Sequence, residues 1–145
     1  MSRAKRGKGK KAKREGKEQH WRGRRSRVLR TFWSGRKAWR SSNKFILISR
    51  QGELGRDFAL RDQLRRAAIS IPTNIAEGFE RASRKEYVNF LNFAKGSTGE
   101  VRSLLNVAFE LGYLESSQYQ ELRNVFLELS RYLSNQIKSL RASDR

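Results

Sequence analysis

Three long stretches of this chain place apolar residues at steps of three and four, and this periodicity restricts what the chain can fold into. Residues at such steps share one face of an α-helix, so each stretch predicts an amphipathic helix. Because short turns join the stretches, neighbouring helices run antiparallel. The predicted core stripes are Leu60, Leu64, Ala67, Ala68, Ile71, Ile75 and Phe79; then Tyr87, Phe90, Leu91, Ala94, Thr98, Val101, Leu105 and Ala108; then Tyr119, Leu122, Phe126, Leu129, Leu133, Gln136 or Ile137, and Leu140.

Capping residues predict where these helices begin and end. Gly78, or a residue just after it, is expected to end the first helix in a left-handed conformation, and Gly112 to end the second. The last helix is expected to start at Ser116 or Ser117. Two capping boxes, in which a serine caps the helix and a residue three positions on reaches back, are predicted at Ser83 with Glu86 and at Ser117 with Gln120.

The positive charge lies in the N-terminal third. The net charge is +19, yet residues 1–50 hold 19 of the 33 lysines and arginines and only 2 of the 14 acidic residues. Residues 1–30 are rich in Lys, Arg and Gly and offer almost nothing apolar to bury, which predicts a disordered basic tail. Residues 31–145 are therefore expected to form one domain.

Three helices could close a bundle, but a fourth helix from part of residues 31–50 would close it better. That segment contains tryptophan, phenylalanine and isoleucine without a clean period. With one proline and few alternating stretches, the fold class is all-α: an antiparallel four-helix bundle after a basic tail. Apolar residues off the main stripes, such as Ile69, Phe93, Phe109 and Val125, indicate a second buried face and hence self-association.

The stretch RRAAISIPTNIAEGFER, residues 65–81, combines an apolar stripe with a proline and polar side chains. Pro72 removes a backbone donor and is expected to kink the helix. Asn74 and Glu77 are three apart and share a face. We interpret Ser70, Asn74, Glu77 and Glu100 as a polar network that ties helices together, contact with an external ligand being the alternative.

The sequence Gly96-Ser97-Thr98-Gly99 interrupts the middle of the second predicted helix. Two glycines there cost about 1 kcal/mol each relative to alanine. Close approach of a neighbouring helix is the expected reason. The alternative is a stretch of backbone left open to a phosphate group.

Composition excludes several kinds of site. The chain has no cysteine and one histidine, His20, so disulfides, thiolate chemistry and an ordinary zinc site are not expected. No nucleophile–base pair and no glycine-rich phosphate loop is present, so we predict no catalytic residues, no metal and no cofactor. No apolar run reaches the roughly 20 residues that span a bilayer, and a secretory signal is missing. A cytoplasmic protein is expected.

The motifs RRAAISIPTNIAEGF, SRKEYVNFLNFAKGSTGEV and AFELGYL, in this order, resemble the 23S ribosomal RNA intervening-sequence proteins, also called four helix bundle proteins. The resemblance covers about Ser49 to Leu140. It implies a four-helix protomer, a ring-like homopentamer and no known enzymatic activity. The family is bacterial and is similar to the accessory variability protein of diversity-generating retroelements, which binds nucleic acid and a reverse transcriptase.

The first helix departs from that family. Members begin with a helix of the kind W-x-K-[AG]-x-x-[IL]-V-x-x-I-Y, whereas residues 33–46 here read WSGRKAWRSSNKFI. One permissible back-translation of Trp33 to Ile48, read from its third base, gives EWKEGMEIVKQIYL, which has the family pattern. We therefore expect the first helix to be degraded, or to be misframed before about Ile46. In the second case the basic tail would be an accident of translation.

Two functions follow from these patterns. The first is a non-enzymatic protein that associates with RNA, or with DNA, through basic surfaces. The second is an oligomeric scaffold that recruits a protein partner and has no direct role with nucleic acid. For the first, the residues expected to contact phosphates in the folded part are Arg61, Arg65, Arg66, Arg81, Arg84 and Lys85.

Overall fold

The computed structural model describes residues 34–81 and 83–143, and in these residues the secondary structure is helical without strands. The predicted basic tail, residues 1–30, lies outside the described residues. The chain is helical at residues 34–48 (α1), followed by a short helix Gly52–Arg56 (α2). Three long helices complete the fold: Phe58–Glu80 (α3), Arg84–Glu110 (α4) and Ser116–Ala142 (α5).

Helices α1, α3, α4 and α5 form the predicted antiparallel bundle, in which each helix contacts two others. The described residues therefore form the all-α four-helix fold that the sequence predicted. One side-chain contact marks each neighbouring pair: Ser42 to the Ala68 carbonyl between α1 and α3 (2.6 Å), Lys37 to Glu128 between α1 and α5 (3.1 Å), Ser70 to Ser97 between α3 and α4 (2.8 Å), and Tyr119 to Asn106 between α5 and α4 (3.1 Å).

The three predicted stripes make the core. All the α5 stripe residues are buried, including both Gln136 and Ile137, between which the sequence left the choice open. Gln136 is accommodated because its amide donates to the Tyr87 hydroxyl at 2.9 Å. Leu60 and Phe79 lie at the edge of the core, partly exposed but packed against it.

Helix α1 contributes small side chains to this core. Its buried residues are Ser34, Ala38, Ser41, Ser42, Phe45 and, just after the helix, Ser49. A phenylalanine is the only large side chain in that set, so α1 removes less apolar surface from water than a regular amphipathic helix of this length. A groove of about 450 Å³ lies beside it, lined by Arg36, Lys37, Arg40, Ser41, Val125 and Glu128. That the first helix is degraded or misframed stays a prediction.

Pro72 is tolerated because a serine on another helix replaces the missing donor. A proline lacks the N–H that would donate to the carbonyl four residues back, here that of Ala68. The hydroxyl of Ser42, almost fully buried on α1, donates to this carbonyl at 2.6 Å. The Thr73 hydroxyl, next to the proline, donates to the carbonyls of Ile69 and Ser70.

The predicted left-handed cap at Gly78, or at a residue just after it, is wrong. Helix α3 continues to Glu80, and its C-cap residue Arg81 is extended, with a φ of −70°. Among the described residues, positive φ occurs at Gly52 and Gly112. Gly78 is instead buried at the α3–α4 contact, where an added Cβ would lie 2.5 Å from the Cβ of Phe90. This glycine is needed for the close approach of two helices.

The other helix ends follow the sequence with one shift. Ser83 caps α4 by accepting from the Glu86 N–H at 3.2 Å, as predicted. Gly112 has a φ of 77° after α4, which also agrees with the prediction. Helix α5 begins at Ser116, but its capping box is formed by Glu115 and Gln118, so the predicted box at Ser117 is wrong.

Candidate nucleic-acid interface

The structure divides the six basic residues predicted to contact phosphates into two groups. Arg61, Arg65 and Arg66 lie in the first turns of α3, whereas Arg81, Arg84 and Lys85 surround the turn from α3 to α4. Twenty residues of helix separate Arg61 from Arg81, which is about 30 Å. The six residues therefore do not form one cluster within a protomer.

Two arginines of the first group are engaged in holding the fold. The Arg61 guanidinium donates to the Gly55 carbonyl at 3.0 Å and lies 4.6 Å from the centre of the Phe58 ring. Arg65 donates to the Ser49 hydroxyl at 2.8 Å and fixes the connection between α1 and α2. Arg66 is exposed. Only Arg66 of this group presents its charge freely to solvent.

The second group lies where α3 joins α4. Arg81 is ion-paired with Glu77 one turn before it at 2.5 Å, and its guanidinium lies 4.9 Å from the centre of the Phe90 ring. Lys85 is exposed, and Arg84 is half-buried. Because Arg81 is about two-fifths exposed, its ion pair adds little stability and leaves its outer N–H groups accessible.

The described residues carry their net charge in one half of the bundle. The half containing the α3–α4 turn comprises residues 34–41, 70–81, 83–96 and 130–143, and it has ten basic and three acidic residues. The other half, residues 42–69 and 97–129, has eight of each. One half is thus strongly positive, a distribution that the overall composition does not reveal.

The polar residues predicted as a network form two separate links between α3 and α4. The Asn74 amide donates to the Ser70 hydroxyl at 2.9 Å, and that hydroxyl is 2.8 Å from the Ser97 hydroxyl on α4. Glu100 on α4 accepts from Gln63 on α3 at 2.6 Å. Glu77 is exposed and pairs with Arg81, so it belongs to neither link.

The expected close helix contact at Gly96 and Gly99 is wrong. A Cβ added at Gly96 would meet nothing within 4 Å, and at Gly99 it would meet only the Arg102 guanidinium, at 3.8 Å. Within the protomer these glycines are not required for packing. The α4 backbone is open at both positions, which the alternative of a backbone left open to a phosphate group requires.

Large apolar side chains are exposed along the outer side of α4. Phe93 is 58% exposed, Val107 43% and Leu111 55%. They fall at helical steps with Gly96, Glu100 and Ser103 between them, so α4 has an outward apolar stripe, interrupted by these residues, in addition to its core stripe. Sequence analysis identified Phe93 as lying off the core stripe but did not group these residues.

The structure also shows basic residues that the sequence analysis did not select. Arg123, Arg131, Lys138 and Arg141 on α5, and Lys95 and Arg102 on α4, are exposed or half-exposed. None of the ion pairs among the described residues involves them. Their recurrence at steps of three, seven and eight along α5 was the signal that could have identified them.

At the other end of the bundle, a tyrosine and an aspartate join two turns. The Tyr113 hydroxyl donates to Asp57 at 3.1 Å, and the same aspartate caps α3 by accepting from the Leu60 N–H. The hydrogen bond to Asp57, with burial and the charges of Asp57 and Glu53, raises the pKa of Tyr113 above 10.0. This contact is structural, because it fixes the α4–α5 turn against the start of α3.

Neither a metal cluster nor a membrane span is found in the part of the chain that the structure describes. No three histidine, cysteine or acidic side chains come together there in a way that could hold a metal ion. No helix of that part is long and apolar enough to cross a membrane.

Comparison with known proteins identifies the fold and its family. A family profile described as 23S rRNA-intervening sequence protein matches residues 34–135. The chain belongs to this family. The match includes α1, which the resemblance seen in the sequence, about Ser49 to Leu140, did not reach.

A solved structure is similar to this chain. It is a crystal structure, at 1.70 Å resolution, of a protein with unknown function from the S23 ribosomal protein family of Bacteroides thetaiotaomicron VPI-5482. The TM-score is 0.70 with 24% identity, over 75% of this chain and 98% of the other. At that identity the likeness shows the fold alone. No curated protein matches the chain.

Proposed function

We propose that this member of the intervening-sequence family is a non-enzymatic, self-associating bundle that binds RNA through basic surfaces of its helices. The observation that carries the proposal is the uneven charge of the described residues, with ten basic against three acidic residues in the half that contains the α3–α4 turn. A surface of this kind neutralises phosphates and releases their counterions, which favours binding without regard to base sequence.

Self-association is proposed through the outer side of α4, with a second copy of the chain as the occupant. Two copies of a chain with net charge +19 repel each other, so contact is favoured where charge is lowest. The stripe of Phe93, Val107 and Leu111 is such a surface, because the charged side chain that interrupts it, Glu100, is acidic. Gly96, which has open space above it, lets a neighbouring backbone come close. A homopentamer is the form that the family resemblance implies.

A salt titration of the full chain tests the nucleic-acid part of the proposal. Fluorescence anisotropy with a labelled single-stranded oligouridylate should show binding at low salt. The logarithm of the binding constant should then fall linearly with the logarithm of salt concentration, because counterions are released. Failure to bind at low salt, or binding that ignores salt, would refute the proposal.

The second candidate function is a scaffold for a protein partner. The exposed stripe on α4 favours it, because apolar side chains of this size on a surface mark protein contacts. Pull-down of the full chain before and after nuclease treatment separates the two functions. Partners that disappear with the nucleic acid support RNA association, whereas a stoichiometric protein complex that survives nuclease supports the scaffold.

A further inference from the structure

On α5, the acidic and the basic side chains lie on different sides of the helix. Tyr119 marks the side towards α4, because its hydroxyl donates to Asn106 there. At about 100° per residue, Glu121 and Glu128 lie about 160–180° around the helix from Tyr119. They face α1, where Lys44 and Lys37 neutralise them. The four α5 cations lie within about 120° of Tyr119, on the side towards α4 and solvent: Arg123, Arg131, Lys138 and Arg141.

Helix α4 places two cations on the matching side. Asn106 marks the face of α4 that meets α5. Arg102 lies about 40° and Lys95 about 20° around the helix from Asn106, so both share that face. Gly99 lies there too, and an added Cβ would meet only the Arg102 guanidinium. The backbone of α4 is therefore open between these two cations.

The cations of the two helices lie level with each other. Asn106 is opposite Tyr119, and Tyr87 is opposite Gln136, so each step forward on α4 matches a step backward on α5. By this register Arg102 lies level with Arg123, and Lys95 with Arg131. Like charges at matching positions repel each other, which costs stability unless an anion lies between them.

None of the described carboxylates compensates these charges. The ion pairs of the bundle involve other cations, and the acidic residues of α5 are turned away. The Nε of Arg102 is buried without a hydrogen-bond partner. An unsatisfied guanidinium donor of this kind costs free energy, so the fold does not hold Arg102 by this atom, and a phosphate oxygen is the acceptor that matches the remaining N–H groups of its guanidinium.

The geometry points to the α4–α5 groove as the surface that binds the phosphate backbone of a single nucleic-acid strand. We define this basic groove by Lys95, Arg102, Arg123, Arg131, Lys138 and Arg141. Along α5 it extends from Arg123 to Arg141, about 27 Å, which is long enough for several consecutive phosphates. The proposal rests on the proposed function and specifies where on the folded part the strand lies.

The first test compares two variants of the full chain that lose the same charge. The groove variant carries Arg102→Gln, Arg123→Gln and Arg131→Gln, and the control carries Lys44→Gln, Arg50→Gln and Arg56→Gln on other faces. In the anisotropy titration the groove variant should lose about 2 from the salt slope, at roughly 0.7 per phosphate contact, while the control keeps the slope. Both variants contain the basic tail, so its contribution to the salt slope is the same in each and does not affect the difference between them. The titration is done with oligouridylate and with oligothymidylate. A reduced salt slope of the groove variant with either probe supports the proposal, and the probe that shows it tells whether the strand is RNA or DNA.

The unmodified chain provides a second measurement. Lysine acetylation followed by mass spectrometry, with and without oligouridylate, should show Lys95 and Lys138 protected by the strand and Lys44 equally reactive in both samples. Equal slopes for the two variants, or equal protection of Lys44 and Lys95, would overturn the groove. If the unmodified chain fails to bind at low salt, the proposed function itself fails, which is a different result from binding elsewhere on the surface.

Discussion

At the scale of single residues, one contact decides how the chain accommodates a proline inside a helix. Pro72 deprives the Ala68 carbonyl of its helical donor, and Ser42 on α1 replaces it at 2.6 Å. Proline inside a helix and serine on a buried face would each be unfavourable alone. Together they form one compensated contact between α1 and α3, which the sequence could not pair because the two residues are 30 positions apart.

Replacement of Ser42 tests this contact. Ser42→Ala leaves the buried carbonyl without a donor and should destabilise the fold by about 1–3 kcal/mol, measured by urea unfolding. In a Pro72→Ala background, residue 72 again has an N–H that can donate to Ala68, so Ser42→Ala should cost clearly less. An equal cost in both backgrounds would show that the serine does not act by replacing the donor.

The Tyr113–Asp57 contact predicts a pH dependence. The pKa of Tyr113 is raised in the folded chain, because the Asp57 carboxylate accepts its hydroxyl hydrogen bond. Its stabilising effect is therefore fully present below the unfolded pKa of 10.0 and is lost as pH rises through the higher folded value. The native chain should have a higher free energy of unfolding than Tyr113→Phe below pH 10.0, and this difference should disappear as the pH rises through the folded pKa. A constant advantage across the range would contradict the contact.

At the scale of helices, the periodicity of apolar residues was sufficient to predict α3, α4 and α5 and nearly all of their core. It was insufficient where a residue's role depends on another helix. Gly78 looks like a terminal cap in isolation, but its role is set by Phe90 on α4. The predicted phosphate contacts had the same weakness, since the engagement of Arg61 and Arg65 with Gly55 and Ser49 follows from the packing of α1 and α2.

Two glycine replacements separate fold packing from self-association. Gly78→Ala forces a Cβ against Phe90 and should destabilise the fold by about 1–3 kcal/mol. Gly96→Ala meets open space and should stabilise the α4 helix by up to about 1 kcal/mol. If a second copy packs over Gly96, the same replacement should also lower the oligomer mass in light scattering. A Gly96→Ala chain that is less stable as a fold would contradict this account.

The first helix carries a prediction about its gene. α1 buries mainly serine and alanine, as expected of a degraded or misframed helix. Sequencing of the gene decides between these: a misframed helix predicts that the codons from Trp33 to Ile48 encode EWKEGMEIVKQIYL in another frame. Codons that do not encode this pattern would leave degradation in the original frame.

At the scale of the whole molecule, charge and apolar surface are placed on different sides. The α4–α5 groove holds unpaired cations, the α1–α5 contact holds neutralised ones, and the outer stripe of α4 has Phe93 and Val107 exposed. RNA binding through the first surface and self-association through the last can therefore occur together. High salt should weaken the first and leave or strengthen the second, because apolar contacts are not screened.

The molar mass of the full chain, measured by light scattering with and without oligouridylate, tests this arrangement most directly. We predict a multiple of 16.9 kDa for the protein alone, an increase by the mass of bound RNA at low salt, and release of the RNA but retention of the oligomer at high salt. A monomer at all salt concentrations, or a mass unchanged by RNA at low salt, would contradict the central claim.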